Sequence, residues 1–165
     1  MLADTPYGPA DDVDLAPLPL AAVRHDGVTI ADLTRLFDAG FGALGAAAAG
    51  GVVTPIGPAV AIYHGDPMAT FDLEIAFPVA TPLTDPLPGE GGVLIAPSSL
   101  PAGTAVATTH IGSYDGLGSG WGGLVERAAQ RGIHPAGIWI EVYVSDPTDT
   151  PADELRTDLI MPTAV

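Results

Sequence analysis

The sequence predicts an α+β domain built from two pseudo-symmetric β-α-β-β units, with antiparallel sheet, one helix in each half and a groove between the halves. The first observation behind this prediction is an internal similarity at an offset of 80 residues. The second is a pair of apolar-striped segments, one in each half. The third is a strand-like segment in each half that ends at Asp-Pro. The residues matched at this offset are Gly57 with Gly137, Tyr63 with Tyr143, Asp66 with Asp146 and Pro67 with Pro147.

The first half begins with a predicted strand over residues 21–24, followed by a helix over residues 29–49. Apolar side chains recur in that helix at steps of three and four residues, which places them on one face. They are Ile30, Leu33, Phe37, Phe41 and Leu44. Thr29 is the predicted N-cap, and Gly50 ends the helix. Strands over residues 59–64 and 71–79 complete the half. The first of these strands ends before Asp66-Pro67, because proline has no backbone N–H to donate to a sheet.

The second half repeats this order with a strand over 105–109, a helix over 114–131 and strands over 137–145 and 155–163. Its helix carries a similar apolar stripe, formed by Leu117, Trp121, Leu124, Val125 and Ala128. The two halves span about residues 18–80 and 93–165 of a single domain, and the segment 81–92, rich in proline and glycine, is the predicted connection. Residues 1–17 are acidic and proline-rich, which predicts a flexible tail.

Composition narrows the classes of function. The chain has 20 acidic and 5 basic side chains, a formal net charge of −15, which argues against direct nucleic-acid binding. It has no cysteine, so thiolate chemistry and cysteine metal sites are excluded. No signal peptide or apolar stretch long enough to span a bilayer is found. We therefore predict a soluble cytoplasmic protein that does not act at a membrane.

The strongest candidate for function lies in the strand that begins at residue 137. Strand side chains alternate, so Trp139, Glu141 and Tyr143 share one face. The other face is entirely aliphatic and is the predicted core face; it carries Ile138, Ile140, Val142 and Val144. A carboxylate between two large aromatic side chains indicates a partly enclosed wall rather than open solvent.

The equivalent positions of the first half are Ala59, Ala61 and Tyr63, whose smaller side chains leave room in the predicted groove. Aromatic faces attract cations and a partly desolvated carboxylate adds a charge partner, so the expected ligand is cationic or strongly dipolar, with flat apolar parts. A purely structural interpretation stands beside this one. In it, Glu141 is solvated or paired with arginine and the aromatic rings only fill a sheet face.

Other motifs give no site. Residues 40–45 and 118–123 both match Gly-x-Gly-x-x-Gly, but they fall inside predicted helices, whereas a dinucleotide fingerprint follows a strand and opens a helix. The four histidines lack metal-site spacing, and no serine lies in a Gly-x-Ser-x-Gly elbow. The sequence therefore predicts no metal and no cofactor. His110 is assigned either to orient a group near the groove or to be hydrogen-bonded at a strand end.

Several segments, taken in order, resemble the GyrI-like small-molecule-binding domain, also called the bacterial transcription-activator effector-binding domain. The segments are Leu100-Pro101-Ala102-Gly103, His110-Ile111-Gly112-Ser113-Tyr114-Asp115-Gly116-Leu117, Trp139-Ile140-Glu141-Val142-Tyr143, Asp146-Pro147 and residues 157–162. The resemblance covers nearly the whole chain from about residue 18. It implies a ligand groove flanked by two pseudo-symmetric units. It also implies that Glu141 holds the motif position that receives lipophilic cations in multidrug-sensing members, and Tyr143 belongs to the same motif.

The resemblance leaves three functions open. The favoured one is a stand-alone module that binds or sequesters an apolar, often cationic or aromatic small molecule. Its predicted ligand-contacting residues are Glu141, Tyr143, Trp139, Tyr63, Trp121, Tyr114, His110 and Ala61. The second is a hydrolase of reactive electrophilic natural products, by cyclopropane-type ring opening, with Glu141 as general base. Asp115 and Glu126 are its candidate second acids if their helix faces the groove. The third is a gyrase antagonist with a topoisomerase as protein partner, in which the negative charge imitates DNA.

Overall fold

The computed structural model describes residues 3–164. The chain divides into two compact units. The terminal unit comprises the described parts of Met1–Ala16 and Ala102–Val165, and the internal unit comprises Pro17–Pro101. Each unit combines antiparallel strands with one long helix, so the predicted α+β class is confirmed.

The elements of the terminal unit are β1 (Asp11–Leu15), β7 (Gly103–Ile111), α2 (Leu117–Gln130), β8 (Ile138–Tyr143) and β9 (Arg156–Pro162). Its strands lie in the order β1-β7-β9-β8, each antiparallel to its neighbour. A 3-10 turn at Tyr114–Gly116 leads into α2, and a second one occupies Ala152–Glu154. Strand β7, helix α2 and strands β8 and β9 are the predicted β-α-β-β unit.

The elements of the internal unit are β2 (Pro19–Val28), α1 (Leu33–Ala49), β3 (Ala59–Gly65), β4 (Phe71–Pro78), β5 (Leu87–Pro88) and β6 (Leu94–Ser99). Its strands lie in the order β3-β4-β2-β6-β5. A 3-10 turn at Ile30–Asp32 precedes α1, and another lies at Glu90–Gly92. Strands β2, β3 and β4 with α1 repeat the element order of β7, β8 and β9 with α2, as the sequence predicts.

The N-terminal segment differs from the sequence-based expectation, which assigned no regular element before residue 18. Residues 11–15 form β1, paired along its length with β7. Its acidic sequence, Asp-Asp-Val-Asp-Leu, has low strand propensity, so no local signal marks it. Pairing with a neighbouring edge supplies the strand instead. The flexibility predicted for residues 1–17 stays a prediction, and Met1 and Leu2 lie outside the described residues.

Helix α2 packs on one face of the terminal unit's sheet. Its buried side chains Leu124 and Ala128 meet Val106, Leu159 and Met161 in one apolar cluster. The strand register decides which other side chains face this helix, because paired residues share a face of the sheet. Glu141 is the partner of Leu159 in that register. Among residues 3–164, no helix is long and apolar enough to cross a membrane.

Candidate functional site

Glu141 lies in β8 on the face of the sheet that α2 covers. Glu141 is only 5% exposed, although its side chain carries a carboxyl group. Two side chains of the same unit donate hydrogen bonds to it. Trp121 Nε1 of α2 donates to Oε2 at 2.9 Å, and Tyr143 Oη of β8 donates to Oε1 at 2.7 Å. Each carboxylate oxygen therefore has a donor, which offsets part of the cost of burying the group.

Both donors are neutral aromatic side chains. Their hydrogen bonds stabilise the carboxylate without cancelling its formal charge. Trp121 is itself packed edge-to-face on Trp139, with ring centroids 5.4 Å apart and an interplanar angle of 89°. Glu141 is thus held between the indole N–H of one tryptophan and the phenol of a tyrosine, next to a second indole.

Tyr114 extends this aromatic cluster to the surface. Its ring packs edge-to-face on Tyr143, with centroids 5.8 Å apart, and the residue is 40% exposed. Burial raises the pKa of the Tyr114 phenol, and the negative charges of Asp146 and Glu141 raise it further. The phenol therefore stays protonated at neutral pH. The contacts of Tyr143 with Tyr114 and Glu141 therefore connect a partly exposed ring to the buried carboxylate.

His110 is the residue that holds the turn beneath Tyr114. Its Nε2 donates to the carbonyl oxygen of Ser113 at 2.9 Å. The ring also lies against Gly116, where an added Cβ would come within 2.6 Å of the His110 Cε1 atom. Of the two assignments open from the sequence, the structure therefore contains the hydrogen-bonded histidine at a strand end. Its contact with a ligand stays a prediction.

The structure brings five of the eight predicted residues together within the terminal unit. They are Glu141, Tyr143, Trp139, Trp121 and Tyr114. Tyr63 and Ala61 belong to β3 of the internal unit. There Ala61 is fully buried, and the Tyr63 ring packs on Phe71 with centroids 5.4 Å apart. Ligand contacts by Tyr63 and Ala61 stay predictions.

The face of β8 that carries Glu141 was expected to form a groove wall, but α2 packs over it. The sequence identifies the aliphatic face as the core, and Ile140 and Val142 are indeed almost fully buried. The aromatic face is also packed, however, because Trp121 of α2 lies over it. The candidate second acids Asp115 and Glu126 are both exposed, so helix α2 brings no second buried acid to Glu141.

Two open surface depressions lie elsewhere. One, of about 500 Å³, is in the internal unit beside Ile30 and Met68. The other, of about 510 Å³, is in the terminal unit beside Asp12 and His134. Neither is lined by Glu141 or its aromatic neighbours. We base the candidate site on the buried carboxylate, because these depressions hold no comparable convergence of buried polar groups.

Sequence analysis missed a second buried carboxylate in the terminal unit, Asp158 of β9, which is 1% exposed. Arg156 donates two parallel hydrogen bonds to Asp158, from Nε to Oδ1 at 3.0 Å and from Nη2 to Oδ2 at 2.8 Å. Thr109 Oγ1 donates a third at 2.7 Å. Arg156 and Asp158 are two residues apart in one strand, so their side chains lie on the same face. This spacing is the sequence signal that could have revealed the ion pair.

A third buried carboxylate, Glu74 of β4, lies in the internal unit and is 6% exposed. His64 Nε2 contacts its Oε2 at 2.7 Å, and Ser98 Oγ donates to its Oε1 at 2.5 Å. Burial raises the pKa of Glu74, but the hydrogen bonds from His64 and Ser98 and the charges of His64 and Arg24 outweigh it, so the pKa lies below its ordinary value.

Comparison with known proteins agrees with this architecture. The profile of the GyrI-like small molecule binding domain matches residues 13–164. The chain therefore belongs to the GyrI-like family of small-molecule-binding domains. No protein with a curated description matches it in sequence.

Solved structures with the same fold have low sequence identity to the chain. The C-terminal domain of EcmrR is 18% identical, with a TM-score of 0.72 over 94% of this chain and 96% of that one. A hydrolase encoded by lin2189 from Listeria innocua is 11% identical, with a TM-score of 0.63 over 98% and 94%. SAV2435 bound to tetraphenylphosphonium is 11% identical, with a TM-score of 0.62 over 94% and 93%.

Proposed function

We propose that this domain binds an apolar organic cation, with Glu141 as the group that receives the positive charge. The observation that carries the proposal is a 5%-exposed carboxylate that accepts hydrogen bonds from two aromatic side chains, Trp121 and Tyr143. A buried carboxylate held in this way attracts a cation strongly, because the surrounding dielectric is low.

The aromatic rings favour the same class of ligand. The faces of Trp and Tyr rings attract cations, and each such contact contributes about 0.5 to 2 kcal/mol. Trp139, Trp121, Tyr143 and Tyr114 supply these rings around Glu141. A solved structure of the same fold, SAV2435, is bound to tetraphenylphosphonium, which is a lipophilic cation surrounded by flat rings. That likeness supports the choice of ligand class for this chain.

The test compares two ligands of similar size that differ in charge, tetraphenylphosphonium and neutral triphenylphosphine oxide. Both tryptophans of the chain belong to the aromatic cluster, so intrinsic fluorescence reports on the site directly. We expect Glu141→Gln to weaken tetraphenylphosphonium binding by at least tenfold, which corresponds to about 1.4 kcal/mol. Binding of triphenylphosphine oxide should change little.

The matched control is Glu74→Gln, the same substitution at a buried glutamate of the internal unit. It should leave the affinity for tetraphenylphosphonium within about twofold of the wild-type value, which is about 0.4 kcal/mol. Equal affinities of the wild type and Glu141→Gln for the cation would overturn the proposal, provided that circular dichroism shows both proteins folded.

A second candidate is hydrolysis of a reactive electrophile. The feature that favours it is the pairing of Glu141 with the Tyr143 hydroxyl, because a carboxylate can take a proton from water while a phenol donates one to a leaving oxygen. Mass spectrometry of a strained-ring electrophile incubated with catalytic amounts of protein decides between the two. Repeated turnover that is lost in Glu141→Gln would establish hydrolysis, whereas stoichiometric binding without product would exclude it for that substrate. A topoisomerase partner stays a prediction.

A further inference from the structure

A short strand precedes each β-α-β-β repeat, and the two preceding strands are exchanged between the units. Strand β1 comes directly before β2 in the chain, but it pairs with β7 of the terminal unit. Strand β6 comes directly before β7, but it pairs with β2 of the internal unit. Each unit is therefore completed by a strand that the chain connects to the other unit's repeat.

The two exchanged pairings have the same register. Val13 of β1 is the partner of Ala105 of β7, and Ser98 of β6 is the partner of Leu20 of β2. An offset of 85 residues relates both members of one pair to the members of the other. The chain thus uses one interaction twice, in which the edge of a β-α-β-β unit accepts a strand from outside its own repeat.

Residues 3–15, which we call the β1 segment, are held to the terminal unit largely through their backbone. Three arginines of this unit donate to carbonyl oxygens of the segment: Arg127 to Pro9, Arg131 to Ala10 and Arg156 to Ala3 and Asp4. The donor–acceptor distances lie between 2.7 and 3.1 Å. The backbone nitrogen of Tyr7 donates to Thr109 Oγ1 of β7 at 2.8 Å. Recognition through the main chain is how a sheet edge binds an added strand.

Charge complementarity favours an acidic segment on this surface. The chain has a formal net charge of −15 and five basic side chains, three of which contact the β1 segment. Arg131 also donates to both carboxylate oxygens of Asp12, at 2.7 and 2.9 Å. The surface therefore fits the chain's own β1 segment, whether the same copy or a second copy supplies it.

Strand β1 is anchored by less apolar burial than its counterpart β6. All five residues of β1 are exposed or half-buried. In β6, Ile95 is 1% exposed and belongs to the core. Releasing a strand from its edge exposes the apolar surface that it buries, and this exposure is unfavourable. Strand β1 is therefore the exchanged strand that leaves its edge more readily.

The connection from β1 to β2 is short and biased towards an extended backbone. It consists of Ala16, Pro17 and Leu18, and the boundary between the two units falls between Ala16 and Pro17. Ala16 and Leu18 each precede a proline, which disfavours helical backbone at both residues. Short connections that cannot easily turn back favour exchange of the attached element between copies.

From these observations we propose that the β1 segment is exchanged between two copies of the chain. The segment of each copy pairs with β7 of the other copy and accepts the arginine hydrogen bonds of that copy's terminal unit. The contacts are the same as within one copy, and reciprocal exchange closes a two-fold dimer. The terminal unit, which contains Glu141, is then completed by the second copy. This inference does not depend on the proposed cation site.

The first test detects the exchanged strand directly. The chain has no cysteine, so a single introduced cysteine is unique. Asp14 of β1 and Thr104 of β7 are register partners. A copy with Asp14→Cys is incubated and oxidised with a ¹⁵N-labelled copy that carries Thr104→Cys. Mass spectrometry should then find a disulfide that joins a light chain to a heavy chain.

The matched control uses the same heavy copy and a light copy with Thr163→Cys. The hydroxyl oxygens of Thr163 and Thr104 are 2.7 Å apart, but neither residue belongs to the β1 segment. We expect the mixed disulfide with Asp14→Cys to form in at least about tenfold higher yield than that with Thr163→Cys. Equal yields would overturn the exchange, provided that circular dichroism shows all three variants folded.

The second test measures the oligomeric state of the unaltered chain by sedimentation equilibrium. The dimer fraction should rise as the protein concentration increases from about 10 to about 500 µM. Inserting Gly-Gly-Ser between Ala16 and Pro17 should lower that fraction at least about threefold, because a longer flexible connection lets the segment return to its own copy. The same insertion between Thr84 and Asp85 is the control and should leave the dimer fraction unchanged.

Two results of the second test would overturn the proposal. One is a chain that stays monomeric over the whole concentration range. The other is a dimer whose population is the same with and without the insertion after Ala16, because such a dimer forms through another surface.

Discussion

Asp158 and Glu141 are both buried carboxylates of the terminal unit, on neighbouring strands, and they are satisfied in opposite ways. Asp158 accepts two hydrogen bonds from the guanidinium of Arg156 and a third from Thr109. The hydrogen bonds described for Glu141 come from Trp121 and Tyr143. One carboxylate is thus matched to a charged partner, whereas the other is oriented by neutral rings.

The two carboxylates differ in whether their described hydrogen-bond donors carry a positive charge. The guanidinium of Arg156 balances the charge of Asp158 and also donates hydrogen bonds to its oxygens. The pair is therefore stable in the fold without a further charged group. The two donors described for Glu141, Trp121 and Tyr143, are neutral. Burial alone is therefore a poor guide to a binding site, and the chemistry of the donors is the better one.

The largest expected effect is on the structural side of this comparison. Arg156→Met leaves Asp158 buried beside an apolar side chain, so the free energy of unfolding should fall by about 3 to 5 kcal/mol. Urea denaturation followed by circular dichroism measures this. The double variant Arg156→Met/Asp158→Leu should recover much of the loss, because no uncompensated charge remains. A loss below about 1 kcal/mol in the single variant would mean that Asp158 finds another partner.

A smaller change in stability is expected on the functional side. Glu141→Gln keeps an oxygen that accepts a hydrogen bond from Trp121 or Tyr143, so the free energy of unfolding should change by only about 1 kcal/mol. The same denaturation series measures it. If the free energy of unfolding falls as much as it does in Arg156→Met, Glu141 is a structural carboxylate like Asp158.

Glu74 of the internal unit is a third buried carboxylate, and its partners are His64 and Ser98. The folded-state pKa of Glu74 lies below its ordinary value of 4.5. The unfolded chain therefore binds more protons near and below pH 4.5, and stability falls as the pH falls through this range. Glu74→Gln should flatten the acid limb of a plot of unfolding free energy against pH. The same change at exposed Glu126 is the control, and an unchanged limb in Glu74→Gln would contradict the assignment.

Much of the fold could be predicted from the sequence because its signals are local. The apolar stripes at three- and four-residue steps predicted residues 29–49 and 114–131 as helical, and the structure places α1 and α2 there, each led by a 3-10 turn. The strand ends at Asp-Pro were also marked locally. Asp66 Oδ1 accepts a bond from the backbone nitrogen of Met68, and Asp146 Oδ1 from that of Thr148.

Strand β1 could not be predicted in this way. Residues 11–15 become a strand because β7 offers an edge to pair with, and an edge is not visible in a local pattern. Strand β6 likewise depends on its pairing with β2, and β5 depends on its pairing with β6. For the candidate site, alternation along β8 placed Trp139, Glu141 and Tyr143 on one face. It did not show that Trp121 of α2 lies over that face and donates to the carboxylate.

The amino-acid sequence by itself determined the helices, the main strands, the shared face of Trp139, Glu141 and Tyr143, and an acidic chain without cysteine. The spacing of apolar side chains and the amino-acid composition encode these properties, and both can be obtained from the sequence without knowing which distant residues meet. Only the tertiary structure decided which buried carboxylate meets arginine and which meets aromatic donors. That choice depends on strand register and helix packing, which bring together side chains 20 residues apart, such as Trp121 and Glu141.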